Sequence, residues 1–169
     1  VSQTVGWFTS LFPVTLTLPG GSDPGADVRA VKEQLRRIPQ NGVGYGMLRY
    51  LGDAKTQAQL GSRPTPPILF NYLGQMDGGG QGDSLFQPLN ADIGPAYGHE
   101  NERAHLLDVN AWVTNGRVHI TWQYPGKLTT RDTIARLDQA FRDKLAALID
   151  HCTGAATGQH TPSDFPLSN

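Results

Sequence analysis

The dipeptide Asn115-Gly116 constrains this chain more than any other feature. Asn and Gly tolerate the two positive φ angles of a type I′ turn, whose twist matches that of the strands it joins. The residues on either side alternate apolar and polar, from Ala104 to Thr114 and from Arg117 to Tyr124. Pairing outward from the turn sets Val113 opposite Val118, Ala111 opposite Ile120, Val109 opposite Trp122 and Leu107 opposite Tyr124. Side chains alternate along a strand, so this whole set shares one face. The other face carries Asp108, Asn110, Thr121 and Gln123. One register satisfies both the turn and the pattern, which predicts a hairpin with one buried side.

Around this hairpin the chain alternates between the two structural periods. Val5 to Leu16 is rich in aromatic and β-branched residues and reads as a strand, with Pro13 marking an edge or bend. A Pro-Gly-Gly loop follows from Pro19. Ser22 or Asp23 can then cap a helix that has Pro24 in its first turn, where the missing N–H costs nothing. Val28, Val31, Leu35 and Ile38 fall on one face of that helix, and Pro39 and Gly42 stop it. Met47 to Leu51 predicts a short helix ending near Gly52, followed by a polar stretch with Pro64, Pro66 and Pro67. Ile68 to Leu73 is an apolar run interrupted by one amide and reads as a buried strand.

Gly78 to Gly82 and the segment up to Glu102 form a long irregular region. Thr129 or Thr130 caps the last helix, whose apolar stripe is Ile134, Leu137, Phe141, Leu145, Leu148 and Ile149, with Gly154 as its stop. Strands and helices interleave without the regular rhythm of a doubly wound sheet. The expected fold class is therefore mixed α/β, with flanking helices on a sheet that contains the hairpin. Residues 1–153 form the domain portion and 154–169, rich in small and polar residues, an interdomain linker.

Composition removes several functions. A net charge of -1 supplies no basic face for nucleic acid. No apolar run approaches the ~20 residues needed to span a bilayer, and no secretion signal is visible at the start. The single cysteine, Cys152, cannot form an internal disulfide and suits a reducing cytoplasm, where it reads as a packing residue near a helix end. The chain opens at Val1 directly into an apolar segment, as a piece of something longer would.

Few residues form a chemical constellation. Gly42-x-Gly44-x-Gly46 follows a helix and Pro39 instead of a strand, so a tight turn explains it better than phosphate binding. Gly78 to Gly82 lacks the Lys-Ser/Thr of a phosphate loop. His99, Glu100, Glu102 and His105 invite a metal, but their spacing does not place two imidazoles on one helical face, and no metal is expected. Ser10 lies outside any nucleophile elbow. Asn71, with Tyr72 beside it, differs from these. An amide inside an apolar strand must find partners, because leaving it unpaired costs about 1–3 kcal/mol. The pattern alone leaves both a structural bond and a catalytic role open.

Three segments together resemble the later motifs of the epimerization domains of non-ribosomal peptide synthetases. They are Thr4-Val-Gly-Trp-Phe-Thr-Ser-Leu-Phe-Pro-Val, Ile38-Pro-Gln-Asn-Gly-Val-Gly-Tyr-Gly-Met-Leu-Arg-Tyr-Leu and Phe70-Asn-Tyr-Leu-Gly-Gln, in matching order and spacing. Thr161-Pro-Ser-Asp-Phe-Pro-Leu resembles the outgoing linker, so the similarity covers nearly the whole chain. Gln3, where the family often has Arg, and Phe12, where Tyr is common, depart from it.

The resemblance implies the C-terminal one of two chloramphenicol-acetyltransferase-like lobes, in the condensation-domain superfamily. It also implies that the family's His-His-x-x-x-Asp-Gly and Glu-Gly-His-Gly-Arg-Glu motifs precede Val1, so that this lobe alone is inactive. The implied reaction is removal and return of the α-proton of an L-aminoacyl or peptidyl thioester, giving the D-form. No cofactor binds directly; the substrate rides on the 4'-phosphopantetheine of a carrier protein.

On this resemblance Asn71 and Tyr72 are the catalytic candidates in this chain. Asn71 would orient the thioester, and Tyr72 would assist proton transfer or packing. Trp7, Phe8, Thr9, Tyr45 and Gln75 are substrate-binding candidates. Lys32, Arg36 and Arg37 are candidates for docking an acidic carrier, against the simpler reading of a solvated helix face. The implied partners are the N-terminal lobe of the same domain, the carrier domain and a downstream condensation domain, in a cytoplasmic synthetase. Two alternatives remain: a condensation-domain lobe that forms peptide bonds, and a non-catalytic carrier-docking scaffold.

Overall fold

A computed structural model describes residues 4–6, 8–21, 23–76, 94, 98, 100–154, 161, 164 and 165. Its elements are helices α1 (Pro24–Arg36), α2 (Val43–Leu51), α3 (Ala54–Gly61) and α4 (Arg131–Thr153), with strands β1 (Ile68–Gln75), β2 (Leu107–Thr114) and β3 (Arg117–Gln123). The chain divides into two compact units, Val1–Pro64 with Leu137–Asn169, and Thr65–Arg136.

The second unit is built on the hairpin. Val113 pairs with Val118, Ala111 with Ile120 and Val109 with Trp122, in the register the turn dictates. Asn115 and Gly116 adopt φ of 51° and 68°, the left-handed pair that a type I′ turn requires. β1 adds to the far side of β2 in parallel, so the described sheet is mixed, with order β1-β2-β3. Leu107, Val109 and Ala111 of β2 are buried, and Ile134 from the first turn of α4 closes over Leu107 and Val109. Ile120, Trp122 and Tyr124 pack against that cluster.

In the first unit, Asp23 caps α1 by accepting a hydrogen bond from the Gly25 amide at 2.9 Å, and Pro24 opens the helix. A Cβ at Gly25 would fall 2.4 Å from His151 Nε2, so glycine is what allows the last turn of α4 to approach the start of α1. α1 ends at Arg36, which leaves Ile38 beyond it as the residue before a short 3-10 turn, Pro39–Gly42. α3 has no counterpart in the sequence reading. Asp53 caps it by accepting from the Thr56 amide at 2.9 Å, and the Ala-Lys-Thr-Gln-Ala-Gln-Leu run that follows is good helix-forming sequence without a strong apolar stripe. Thr130 is the cap of α4, accepting from the Thr133 amide through its hydroxyl, and the Gly154 amide closes the end onto Asp150 O at 3.1 Å.

Two expectations are corrected. Residues 8–20 form no strand among the described residues; a strand needs a ladder partner, and Pro13 removes a donor from the middle of the segment. Burial is also narrower than the apolar patterns imply. Ile68, Phe70 and Tyr72 are each 57% exposed, and Val28, Leu35, Leu137 and Ile149 are exposed too, as is Cys152. Periodicity tells which side chains share a face, not whether anything covers that face.

Candidate functional site

The amide within β1 finds its partner on β2. Asn71 aligns with Asn110, which aligns with Thr121 on β3, so three polar side chains form one row across the sheet. Asn71 is half-buried, and its Nδ2 donates to Asn110 Oδ1 at 3.2 Å. The neighbouring row on the same face is Leu69, Asp108 and Gln123. Arg103 Nη2 pairs with Asp108 Oδ2 at 2.5 Å and also donates to the Gln123 carbonyl at 3.2 Å. Asp108 Oδ1 is buried without a hydrogen-bond partner among the described residues. His105 Nδ1 donates to the Pro66 carbonyl at 2.8 Å, which fixes the ring. Leu69, Asn101, Arg103, His105 and Asp108 line a surface cleft of about 480 Å³ one row away from Asn71.

Tyr72 aligns with Ala111 and therefore leaves the strand on the opposite, apolar face. Beyond it the register shifts. Leu73 and Gly74 form a bulge, with Gly74 at φ of 80°, and Gln75 aligns with Val113. The bulge brings Gln75 onto the face of Tyr72, where simple alternation would have placed it opposite. A molecule lying over one face of β1 meets either Asn71 or Tyr72, whereas one lying along the edge of β1 that is unpaired among the described residues can reach both.

The other motif residues lie in the first unit. Phe8 is 67% exposed and Thr9 is exposed; Trp7 lies outside the described residues. Ser10 Oγ donates to the Asn41 carbonyl at 2.7 Å, and the Phe12 ring lies against Gly42. Gln40, Asn41 and Gly42 take φ of 48°, 52° and 79°, three left-handed residues in succession. That conformation costs a non-glycine residue about 1–2 kcal/mol, so the Ser10 and Phe12 contacts hold a turn the local sequence would not keep alone. Gly44 and Gly46, by contrast, lie within α2 with open space around them, so backbone freedom matters only at Gly42. Tyr45 is half-buried, and Arg49 Nη1 donates to its hydroxyl at 3.4 Å and to the Leu60 carbonyl of α3 at 2.6 Å.

The basic face of α1 has an occupant. Lys32 Nζ lies 2.5 Å from Asp164 Oδ2, and Arg36 Nη1 lies 2.7 Å from Asp164 Oδ1. The same carboxylate accepts from the Thr161 amide at 2.9 Å, and Thr161 is buried. The Lys32 ammonium above all, then the Thr161 amide and the Arg36 guanidinium, holds the Asp164 carboxyl well below the usual carboxylate range. Arg37, the C-cap residue of α1, is exposed and makes no ion pair among the described residues. The sequence reading included Asp164 only as part of the linker-like Thr161-to-Leu167 wording and gave it no partner, because the segment has no periodicity; it is also the sole acid between residues 155 and 169. No group of three or more potential metal ligands occurs among the described residues, and His99 lies outside them.

The family model of the Condensation domain matches residues 1–166. The chain belongs to the condensation-domain family. Curated relatives of this condensation-family chain include tyrocidine synthase 2 of Brevibacillus parabrevis, 39% identical over 98% of the chain but only 5% of the relative. Surfactin synthase subunit 2 of Bacillus subtilis is 40% identical over 98% of the chain and 4% of the relative. Gramicidin S synthase 1 of Brevibacillus brevis is 34% identical over 98% of the chain and 16% of its own length. Among solved structures, the epimerization domain from the third module of tyrocidine synthetase B superimposes with a TM-score of 0.75 at 38% identity, over 89% of this chain and 33% of that one. The condensation-family fold, a mixed sheet with a hairpin and flanking helices, is thus the fold of this chain. No helix among the described residues is long and apolar enough to cross a membrane.

Proposed function

We propose that this chain is the C-terminal lobe of an epimerization domain in a non-ribosomal peptide synthetase, spanning residues 1–153 with 154–169 leading out. The observation that carries this reading is the 38% identity and 0.75 TM-score to a solved epimerization domain, taken with the motif Phe70-Asn-Tyr-Leu-Gly-Gln on β1. The substrate is an L-aminoacyl or peptidyl thioester on the phosphopantetheine of a carrier protein.

Removing the α-proton places negative charge on the thioester oxygen, and a hydrogen-bond donor fixed near that oxygen lowers the barrier. Asn71 suits this role. Its Nδ2 already donates one hydrogen to Asn110, which sets the amide plane and leaves the second N–H of that group for the substrate oxygen. Tyr72, on the other face with Gln75, packs beside or hydrogen-bonds a substrate that runs along the outer edge of β1. The acid and base that move the proton are proposed to come from segments that precede this lobe in the intact domain.

The condensation-domain match favours a second reading, in which the lobe belongs to a domain that joins two carrier-bound acyl groups through an amide bond. The two readings separate on one substrate. Epimerization exchanges the α-hydrogen of a single loaded carrier with solvent, whereas condensation needs a second, amine-bearing carrier and leaves the α-hydrogen in place. If the intact domain exchanged no α-hydrogen on a loaded carrier, the first reading would be lost.

A further inference from the structure

The sequence contains two Asn-Gly pairs, Asn41-Gly42 and Asn115-Gly116, and the fold gives them nearly the same backbone conformation. Asn41 and Gly42 have φ of 52° and 79°; Asn115 and Gly116 have 51° and 68°. What differs is the surroundings. Gly42 is buried, a Cβ on it would fall 2.0 Å from the Phe12 ring, and the Ser10 hydroxyl holds the Asn41 carbonyl at 2.7 Å. A Cβ on Gly116 would meet nothing within 4 Å, and Asn115, Gly116, Arg117 and Val118 are all exposed. An asparagine followed by glycine is chemically labile, because no Cβ shields the glycine nitrogen from the asparagine side chain.

We propose that Asn115 is a deamidation site of the folded protein, and that Ser10 and Phe12 protect Asn41 from the same reaction. The Gly116 backbone nitrogen attacks Asn115 Cγ, and the new C–N bond closes a succinimide ring. The Cγ–Nδ2 bond breaks, and Nδ2 leaves as ammonia with the proton of the Gly116 amide. Water then opens the ring at either of its two carbonyls. Opening at the side-chain carbonyl gives aspartate; opening at the main-chain carbonyl gives isoaspartate, in which the chain runs through the side-chain carbon. In sum, one water enters and one ammonia leaves. Closing the ring requires the Asn115–Gly116 peptide to leave its turn conformation, and at an exposed hairpin tip a local opening of low free energy is enough. At Asn41 the same rotation must break the Ser10 bond and draw Gly42 from under Phe12. The two products act differently on the turn. Asp-Gly is itself a type I′ pair, so aspartate keeps the hairpin and adds a negative charge. Isoaspartate lengthens the backbone by a carbon, which takes Thr114–Arg117 and Val113–Val118 out of register.

The test incubates the intact domain in mildly alkaline buffer, folded and in denaturant side by side, and follows each Asn-Gly peptide by mass after digestion. In the folded domain Asn115 should convert about tenfold or more faster than Asn41, and in denaturant the two should convert at similar rates. Ser10→Ala should speed conversion at Asn41 and leave Asn115 unchanged. The deamidated domain, separated from the parent by ion exchange, should contain a population with faster hydrogen exchange at residues 113–118 and unchanged exchange in α4. Asn115→Asp should lack that population. Equal rates at Asn41 and Asn115 in the folded domain overturn the proposal, as does an Asn115 that keeps its amide while the unfolded chain loses it. A deamidated domain that keeps the parent's protection at residues 113–118 overturns the effect on the turn.

Discussion

Asn71 on β1 and Asn110 on β2 face one another across a parallel pair of strands, amide to amide, at 3.2 Å. This bond meets the requirement that an amide inside an apolar strand imposes, and it fixes which way the Asn71 side chain can donate. Structural satisfaction and catalytic use are therefore compatible at one residue. Replacing Asn71 by Ala in the intact domain should lower the rate of D-isomer formation by about 10²-fold or more, the usual loss for a donor to a developing oxyanion. Asn110→Ala, which leaves Asn71 in place but unheld, should cost less, about tenfold. Chiral analysis of the carrier-bound residue over time measures both.

The Asp164 contacts predict a pH dependence. Its carboxyl is held well below the ordinary aspartate value, chiefly by Lys32. The folded state therefore binds its proton less readily than the unfolded state does. The contribution to stability is full above the unfolded value of about 3.9 and is lost as pH falls through the folded value. Asp164→Asn should melt at a lower temperature than the parent near neutral pH, and the gap should narrow in acid. Melting curves at a series of pH values test this; a gap that does not narrow below about pH 4 contradicts it.

Gly42 is set against the Phe12 ring. A Cβ there would fall 2.0 Å from Phe12 Cδ1, and the residue has φ of 79°. Gly42→Ala should destabilise the domain by about 2–4 kcal/mol, the sum of backbone strain and a displaced ring. Adding Phe12→Ala should relieve the clash but not the strain, giving less than additive loss in denaturant titration.

The core predicts a contrast along α4. Ile134 is 7% exposed, packed against Leu107 and Val109, whereas Leu137 is 44% exposed. Ile134→Ala should cost about 2–5 kcal/mol and Leu137→Ala under about 1 kcal/mol, measured by equilibrium unfolding.

How much could be read from the sequence depended on how local the deciding interaction was. The β2–β3 register was legible because Asn115-Gly116 and the alternation on both sides specify the same pairs. The cap of α1 was legible because Asp23 and Pro24 act within one turn. The pairing of β1 with β2 was not, since nothing in Ile68–Gln75 names a partner about 40 residues away. That missing partner also hid Asn110 as the residue that holds Asn71, although the alternation already places Asn110 on the polar face of the hairpin.

The bulge at Leu73-Gly74 was hidden for the same reason, and with it the shared face of Tyr72 and Gln75. α3 was missed because its apolar stripe is weak, even though Asp53 with a helix-forming run was a usable signal. The exposed Phe70 and Leu35 mark the opposite error, reading a patterned face as a covered one. For the site, motif wording made Asn71 and Tyr72 candidates and alternation put them on opposite faces; the register added which row of the sheet each joins.

The domain proposed to contain this lobe is expected to exchange the α-hydrogen and invert the α-carbon of its substrate. The most direct measurement loads the carrier of the intact parent protein with an L-aminoacyl group in heavy water and follows mass and chirality together. The expected result is deuterium at the α-carbon with growth of the D-isomer, both slowed about 10²-fold or more in Asn71→Ala. No α-exchange above the level of the loaded carrier alone, with amide formation once a second amine-bearing carrier is supplied, would contradict it and place the domain among those that condense.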